Sequence, residues 1–129
     1  MNNSQVADIE LLRIRPSTRK GYCSALRRFL AWLDDNGYAH VIDTSVDASS
    51  DRVAFCFRLD QLTDDHIKEY AAHKFLEDGV RASTLNGFRS AVAYVHEEQQ
   101  QLMSAQRKAS LKRFYKGLKY KDAQRAQEV

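Results

Sequence analysis

The hydrophobic residues of this chain recur every three or four positions along four long segments, as they do in helices that bury one face. The most regular stripe consists of Tyr22, Leu26, Phe29, Leu30 and Leu33. Pro16 disfavours helix just before this segment, and Gly37 is typical of a position just beyond a helix end. We therefore expect a helix that begins near Ser17 and that Gly37 ends.

Three further segments predict helices. Thr63 is a good N-cap for a helix that opens with two aspartates and ends near Gly79, since acidic side chains suit the positive helix start. The next helix should begin at Ser83 or Thr84, and a last one should span about 107–121. The apolar faces of these helices comprise Ile67, Tyr70, Ala71, Phe75, Leu85, Phe88, Val92, Val95, Leu111, Phe114, Tyr115 and Leu118.

Residues 4–14 carry a weaker helical pattern. Val6, Ile9 and Leu12 fall on one stripe that a short helix would bury. The polar start of the segment is also typical of a frayed chain terminus. Residues 1–15 are therefore interpreted as a weak N-terminal helix or an arm.

The segment from Tyr38 to Leu62 does not follow the helical period. Val53, Phe55, Phe57 and Leu59 alternate with other residues, as in a short strand, and turn-forming residues precede them. Connections of this length usually have a structure or function of their own. A small β-hairpin or an apolar flap is expected within residues 40–60.

The composition fits one all-α domain. The chain has 129 residues, of which 43% are hydrophobic and 29% charged, with one proline and five glycines. This length supports a core of its own, and so few helix breakers leave room for a compact bundle of four to five helices. Cys23 and Cys56 stand alone, so buried reduced thiols are expected. Since no apolar run could span a bilayer, we expect an intracellular protein without a membrane partner.

Charge is strongly segregated along the chain. Residues 1–33 carry a net charge of +4, residues 34–79 of −7, and residues 80–129 of +6. If the two basic segments meet in the fold, they form a positive face suited to a phosphate backbone. The alternative is a set of solvated helix surfaces without a partner.

Both basic segments contain an arginine two residues ahead of a Ser-Thr pair. Arg15 precedes Ser17 and Thr18, and Arg81 precedes Ser83-Thr84. A helix that starts in this way combines free backbone N–H groups, the positive end of its dipole and cationic side chains, which favours an anion. Two such starts in one small domain predict a long polyanion, with duplex DNA the leading candidate.

Other reactive side chains lack the partners that their chemistry requires. His66, Glu69 and His73 fit one helix face, but no further ligands with metal-site spacing accompany them. We expect no metal and no small-molecule cofactor. Tyr115 lies on an apolar stripe and Tyr120 in a basic run, which indicates packing or phosphate contact rather than nucleophilic chemistry.

Three stretches resemble the core-binding, SAM-like domain of tyrosine recombinases, the phage integrase family. The run from Pro16 to Leu33 is similar to the family's first helix, and Gly79–His96 to a later helix with a Ser-Ala step and a late histidine. Leu111–Lys119 is similar to the closing helix, with its Lys-Gly-Leu-Lys exit. Together these stretches extend from Ser17 to about Arg125.

The resemblance implies one half of a Cre-like clamp around duplex DNA, with two helix starts in the major groove. Arg19, Lys20 and Asn86 have the chemistry to contact base edges, whereas serine and threonine position the backbone. Gly87 departs from the family, because a base-reading side chain is expected near it. The implied DNA-binding residues are Arg15, Ser17, Thr18, Arg19, Lys20, Arg27, Arg81, Ser83, Thr84, Asn86, Gly87, Arg89, Lys112, Lys116 and Lys119.

The family's chemistry needs a nucleophilic tyrosine and a cationic pocket with a His-x-x-Arg signature. The histidines here are followed three residues later by Asp43, Glu69, Leu76 and Gln99. No catalytic residue is therefore assigned, and this chain alone is not expected to be an enzyme. We interpret residues 1–120 as the DNA-binding domain and 121–129 as the start of an interdomain linker, with the catalytic domain absent. A natural stand-alone derivative of a recombinase is the alternative.

A rival interpretation is a helical protein-interaction module. In that case the acidic middle and the apolar segment Val53–Leu59 would dock a partner, and the lysines would only solubilise the protein. Under the DNA-binding interpretation, residues 4–14 are expected to contact neighbouring recombinase protomers on DNA, with a monomer in its absence. The expected location is the bacterial cytoplasm or the eukaryotic nucleus, in association with DNA.

Overall fold

Five helices make up the fold in the computed structural model, which describes residues 3–127. They are α1 (Asn3–Leu11), α2 (Pro16–Asp35), α3 (Asp64–Leu76), α4 (Ala82–Glu98) and α5 (Ala105–Gln127). No strand is present within residues 3–127, so the predicted all-α class is confirmed. None of the described helices is long and apolar enough to cross a membrane.

The core is centred on Phe29 of α2. Its ring, fully buried, lies 4.9 Å from that of Tyr70 in α3, 5.0 Å from that of Phe88 in α4 and 5.6 Å from that of Phe57. Earlier in α2, the ring of Tyr22 lies 5.3 Å from that of Tyr94, farther along α4. The start of α2 therefore lies beside the second half of α4. Aromatic pairs of this kind stabilise a core beyond their buried area.

The segment between α2 and α3 is part of the core, and the expected hairpin or flap is wrong. It forms two 3₁₀ helices, Ala39–Val41 and Val53–Cys56, joined by one isolated antiparallel bridge between Ile42 and Phe57. The buried residues Val53, Ala54, Cys56 and Phe57 follow a helical order rather than strict alternation. Since this segment fills the space beside Phe29, the side chains of Val53, Cys56 and Phe57 pack inward instead of facing water.

Side chains from α2 and from the C-cap of α4 satisfy the backbone of this segment. Arg27 donates from Nε to the carbonyl oxygen of Ala48 at 2.8 Å and from Nη2 to that of Ser50 at 3.0 Å. The side-chain amide of Gln99 donates to the carbonyl oxygens of Ala54 and Phe57, both at 2.8 Å. Partly buried carbonyl groups thus gain partners that secondary structure does not supply.

The helix starts differ in how they are capped. Thr63 forms the predicted cap of α3, and its box is completed by His66, whose Nδ1 accepts from the Thr63 N–H at 3.0 Å. By contrast, α2 begins one residue earlier than predicted and α4 one or two residues earlier. Arg15 and Arg81 occupy their N-cap positions. Pro16 suits the first helical position because its φ angle is preset and no N–H is lost.

The first helix does not bury its apolar stripe. Its existence is confirmed, but Val6, Ile9 and Leu12 are 42%, 57% and 80% exposed, so the expected burial of these side chains is wrong. The stripe has no helix packed over it within the described chain. Cys23 and Cys56 are free and buried, as predicted.

The last helix is anchored at its C-terminal end. It is longer than the predicted 107–121 and continues through the residues expected to begin a linker. Arg125 donates to the carbonyl oxygen of Phe75 at 2.8 Å, and its guanidinium lies 3.9 Å from the centre of the Phe75 ring. Arg125 therefore anchors the end of α5 to α3, and the position of any linker stays a prediction.

The first turn of α5 is anchored by Arg107. Its Nε donates to Asp64 at 2.6 Å, its Nη2 to the carbonyl oxygen of Leu62, and its Nη1 lies 3.2 Å from Nε2 of His96. The Nδ1 of His96 lies 3.0 Å from the carbonyl oxygen of Gln101, which suits a neutral ring protonated on Nδ1. This network joins the starts of α3 and α5 to the end of α4.

Replacing Phe29 by alanine should destabilise the domain by about 3–5 kcal/mol, because it removes the ring on which three helices converge. Urea denaturation followed by far-ultraviolet circular dichroism measures the change. Tyr120→Ala is the matched control, since Tyr120 is exposed and should change stability by less than about 0.5 kcal/mol. Equal effects of the two substitutions would contradict the central role of Phe29.

Acidification should lower the free energy of unfolding through His66 and His96. Burial lowers the pKa of both imidazoles in the folded protein, so the unfolded chain binds protons first as the pH falls. Stability should be full above about pH 6.5 and decline below it. Urea unfolding between about pH 7.5 and about pH 5.5 measures this loss. His96→Gln keeps a neutral acceptor for Arg107 and should show a shallower decline, whereas an unchanged decline would exclude a contribution from His96.

Candidate nucleic-acid interface

A groove of about 460 Å³ lies between α2 and α4 and contains the start of each helix. Ser17 and Thr18 line it from the first turn of α2, and Thr84 and Gly87 line it from the first turns of α4. All four residues are exposed. The fold thus brings both predicted helix starts to one surface, even though α2 begins beside the second half of α4.

The groove has an apolar floor and a cationic end. Tyr22, Ala25 and Phe88 contribute apolar surface, and Arg28 and Lys74 contribute positive charge. Among the described residues that line the groove, none carries a carboxylate. The local charge therefore favours an anionic ligand, although Lys74 also pairs with Asp78 outside the lining at 3.0 Å.

Sequence reasoning missed Arg28, Lys74 and Tyr70 as groove residues. Arg28 follows Arg27 directly in the sequence, but Arg28 lines the groove whereas Arg27 contacts the carbonyl oxygen of Ala48. Only the packing of α2 shows this difference. Lys74 belongs to the acidic middle of the chain, where carboxylates outnumber the basic side chains. Burial raises the pKa of Tyr70, while Lys74 and a hydrogen bond with Arg28 act in the opposite direction.

The start of α2 retains free donors. Pro16 has no N–H, and the N–H of Arg19 already donates to the carbonyl oxygen of Arg15 at 3.0 Å. The backbone N–H groups of Ser17 and Thr18 have no acceptor within the described chain, as is usual in a first helical turn. This helix end can therefore donate to an anion.

The cations around the start of α2 differ in their surroundings. Arg15 and Lys20 are exposed and make no ion pair within the described residues. Arg19 is half-buried, and its Nε is fully buried without a hydrogen-bond partner in that same part of the chain. Arg13, farther from the groove, lies 3.5 Å from both Glu97 and Glu98 at the end of α4. The solvent-exposed, unpaired positive charge at this tip is therefore that of Arg15 and Lys20.

The start of α4 is already occupied by an internal anion. The N–H of Ala82 donates to Oδ2 of Asp122 at 2.8 Å, and Nε of Arg81 lies 3.0 and 3.1 Å from the two carboxylate oxygens. Donation from Ala82, assisted by Arg81, lowers the pKa of the Asp122 carboxyl. Sequence reasoning missed Asp122, whose only signal was an isolated acid in a basic helix. The two helix starts are thus unequal as anion sites.

The remaining predicted residues lie outside the lining of the groove. Arg27 is engaged with the carbonyl oxygens of residues 48–50, and Arg89 lies 5.6 Å from the centre of the Tyr115 ring. Ser83 and Asn86 are exposed on the first turns of α4. The three lysines of α5 that were predicted to contact DNA are exposed and make no ion pair in the described residues: Lys112, Lys116 and Lys119.

Other candidate chemistry takes structural roles. His66 completes the cap of α3, and Tyr115 packs partly buried against the core. Tyr120 is exposed. Within residues 3–127 no cluster of three metal-ligating side chains occurs.

Comparison with sequence families matches residues 3–101 to the description "Phage integrase, N-terminal SAM-like domain". The match contains α1 to α4 and the groove, while α5 follows it. Comparisons with curated proteins and with solved structures returned no match. Because the matched residues form most of the chain and include both helix starts, the chain belongs to the N-terminal SAM-like domain family of phage integrases, the tyrosine recombinases.

Proposed function

We propose that this domain binds duplex DNA through the groove between α2 and α4 and thereby positions a recombinase on its site. The observation that carries the proposal is the meeting of both helix starts at one groove whose described lining has cations and hydroxyls but no carboxylate. Family membership independently supports a role in recombination.

The chemistry of the groove suits a phosphate backbone beside base edges. Free N–H groups and hydroxyls at Ser17 and Thr18 match phosphate oxygens, with Lys20 adding charge at the same tip. Asn86, exposed on α4, has the side chain for adenine, and a nearby cation can contact guanine. Gly87 offers no side chain, so sequence reading by α4 depends on its neighbours.

The assigned interface is smaller than the set predicted from sequence. We retain Arg15, Lys20, Asn86 and the groove residues, and we add Arg28 and Lys74. Arg27 is omitted because its guanidinium holds the carbonyl groups of residues 48–50. The lysines of α5 remain proposed contacts to phosphates beyond the groove, where long side chains reach without forming a pocket.

Burial of the apolar segment argues against the alternative of a protein-interaction module. It required an accessible apolar segment at Val53–Leu59, whereas Val53, Cys56 and Phe57 are buried. A partner could not contact these side chains without unfolding the segment. We therefore favour DNA over a protein as the main partner.

No bond cleavage is included in the proposed role, because no His-x-x-Arg sequence accompanies the tyrosines of this chain. Catalysis by a domain outside this sequence and a stand-alone DNA-binding role both agree with the proposal. The two differ in what the natural protein contains beyond this domain.

A second surface favours contact between protomers. The exposed residues Val6, Ile9 and Leu12 form an apolar stripe on and just after α1. Exposed apolar stripes of this kind are typical of protein contacts. We propose that residues 4–14 contact a neighbouring recombinase protomer when both are bound to DNA.

The double substitution Arg15→Ala with Lys20→Ala should weaken duplex binding at least about tenfold at low salt and reduce the slope of log K against log salt by about two. Neither side chain makes an ion pair or hydrogen bond within the described fold, so stability should be unchanged. Fluorescence anisotropy with a labelled duplex, titrated at several salt concentrations, measures both quantities.

The matched control is Arg52→Ala with Arg58→Ala, which removes the same charge from exposed residues between α2 and α3. This control should change duplex affinity much less. If both double variants weaken binding equally, general positive charge and not the groove accounts for it. Absence of wild-type binding to any duplex would contradict the proposed function.

Replacing Ile9 and Leu12 by serine should leave binding of one domain to a short duplex unchanged but abolish assembly of two domains on a longer one. Gel filtration with and without DNA measures the assembly. Since both side chains are exposed, folding should be unaffected. Paired binding that persists in the variant would refute a role for this stripe.

A further inference from the structure

The carboxylate of Asp122 binds the first backbone N–H of α4, at a helix end of the kind that commonly binds anions. Its two oxygens accept from Nε of Arg81, and Oδ2 also accepts from the N–H of Ala82 at 2.8 Å. The first N–H groups of a helix are the donors that usually bind anions. An anion of this chain therefore already fills a site suited to an external one.

This carboxylate is held firmly from several sides. Asp122 is buried on α5, whereas the Arg81 side chain that it holds is 64% exposed. Arg125, one turn later on α5, lies 3.5 Å from Oδ1 and donates to the carbonyl oxygens of Phe75 and Val80. The end of α5 thus fixes the turn that leads into α4.

The same carboxylate determines how Arg81 can act. Only Nε contacts Asp122, so the outer Nη groups of Arg81 make no hydrogen bond within the described chain. The ion pair orients the guanidinium and offsets part of its charge, although Asp122 also lies 3.5 Å from Arg125. Arg81 can still donate to a ligand at a defined position, but it attracts a phosphate backbone weakly from a distance.

We propose that Asp122 is a specificity-determining positioning residue that replaces a phosphate at the start of α4, so that this helix contacts DNA through its side chains and binds unrelated duplex only weakly. The effect of Asp122 on specificity rests on the proposed DNA binding, whereas its occupation of the helix start does not. The two parts of the proposal are therefore tested separately.

Inorganic phosphate tests the occupation of the helix start without DNA. In Asp122→Ala, the backbone amide resonances of Ala82, Ser83 and Thr84 should shift in a saturable manner as phosphate is added, and in the wild-type chain that of Ala82 should not. Nitrogen-15 correlation spectra measure these shifts and also report whether the variant is folded. Equal shifts in both proteins, or none in a folded variant, would overturn the proposal.

Duplex binding tests the effect on specificity, and it uses Asp122→Asn because asparagine keeps the shape and an acceptor for Ala82 while releasing the charge of Arg81. Binding to duplexes of unrelated sequence should tighten several-fold, and the salt slope should steepen by about one, as expected for one more neutralised phosphate. A merely structural role would leave that slope unchanged. Unchanged or weaker binding would overturn the proposed role.

Asp35→Asn is the matched control, because it makes the same charge change at an exposed residue without an ion pair in the described chain. Asp35 lies about 27 Å along α2 from Ser17, well beyond the Debye length of about 8 Å at physiological salt. Its variant should match the wild type, and an equal gain in both variants would overturn the proposal. If the wild-type chain binds no duplex, DNA binding fails, and the phosphate experiment still decides whether Asp122 occupies the site.

Discussion

The packing around Phe29 determines the rest of this structure. Its ring contacts aromatic side chains from α3, from α4 and from the segment after Val53, so it sets the mutual placement of these elements. The groove between α2 and α4 is the outer surface of that same contact. A backbone shift of either helix would therefore separate the two helix starts on which the proposed DNA binding depends.

Buried charged side chains then fix α5 on this core at both of its ends. Arg107 ties its first turn to Asp64 and His96, and the Asp122–Arg81 pair ties its last turns to the start of α4. Asp122 also accepts from the first N–H of α4, so it caps that helix from another element. Stability and the electrostatics of the proposed DNA-binding surface are consequently coupled through Asp122.

Whether the structure of a segment could be predicted depends on whether local residues or distant contacts determine it. The stripe of α2 and the cap at Thr63 depend on neighbours a few residues apart, and both were predicted correctly. The residues after Val53 have an ambiguous short pattern, and only their position beside Phe29 decides that they form a 3₁₀ helix. The apolar stripe of α1 has the right period but no helix to cover it, which no local pattern reveals.

The sequence by itself determined the helical class, the four strong helices, the segregation of charge and the family, because each is expressed by residues close together along the chain. Tertiary structure alone decided that Arg28 and Lys74 join the groove while Arg27 holds a loop, and that Asp122 fills the start of α4 from forty residues away. The physical reason is that the sequence shows which side chains are charged, whereas the packing of the helices determines which group each charged side chain contacts.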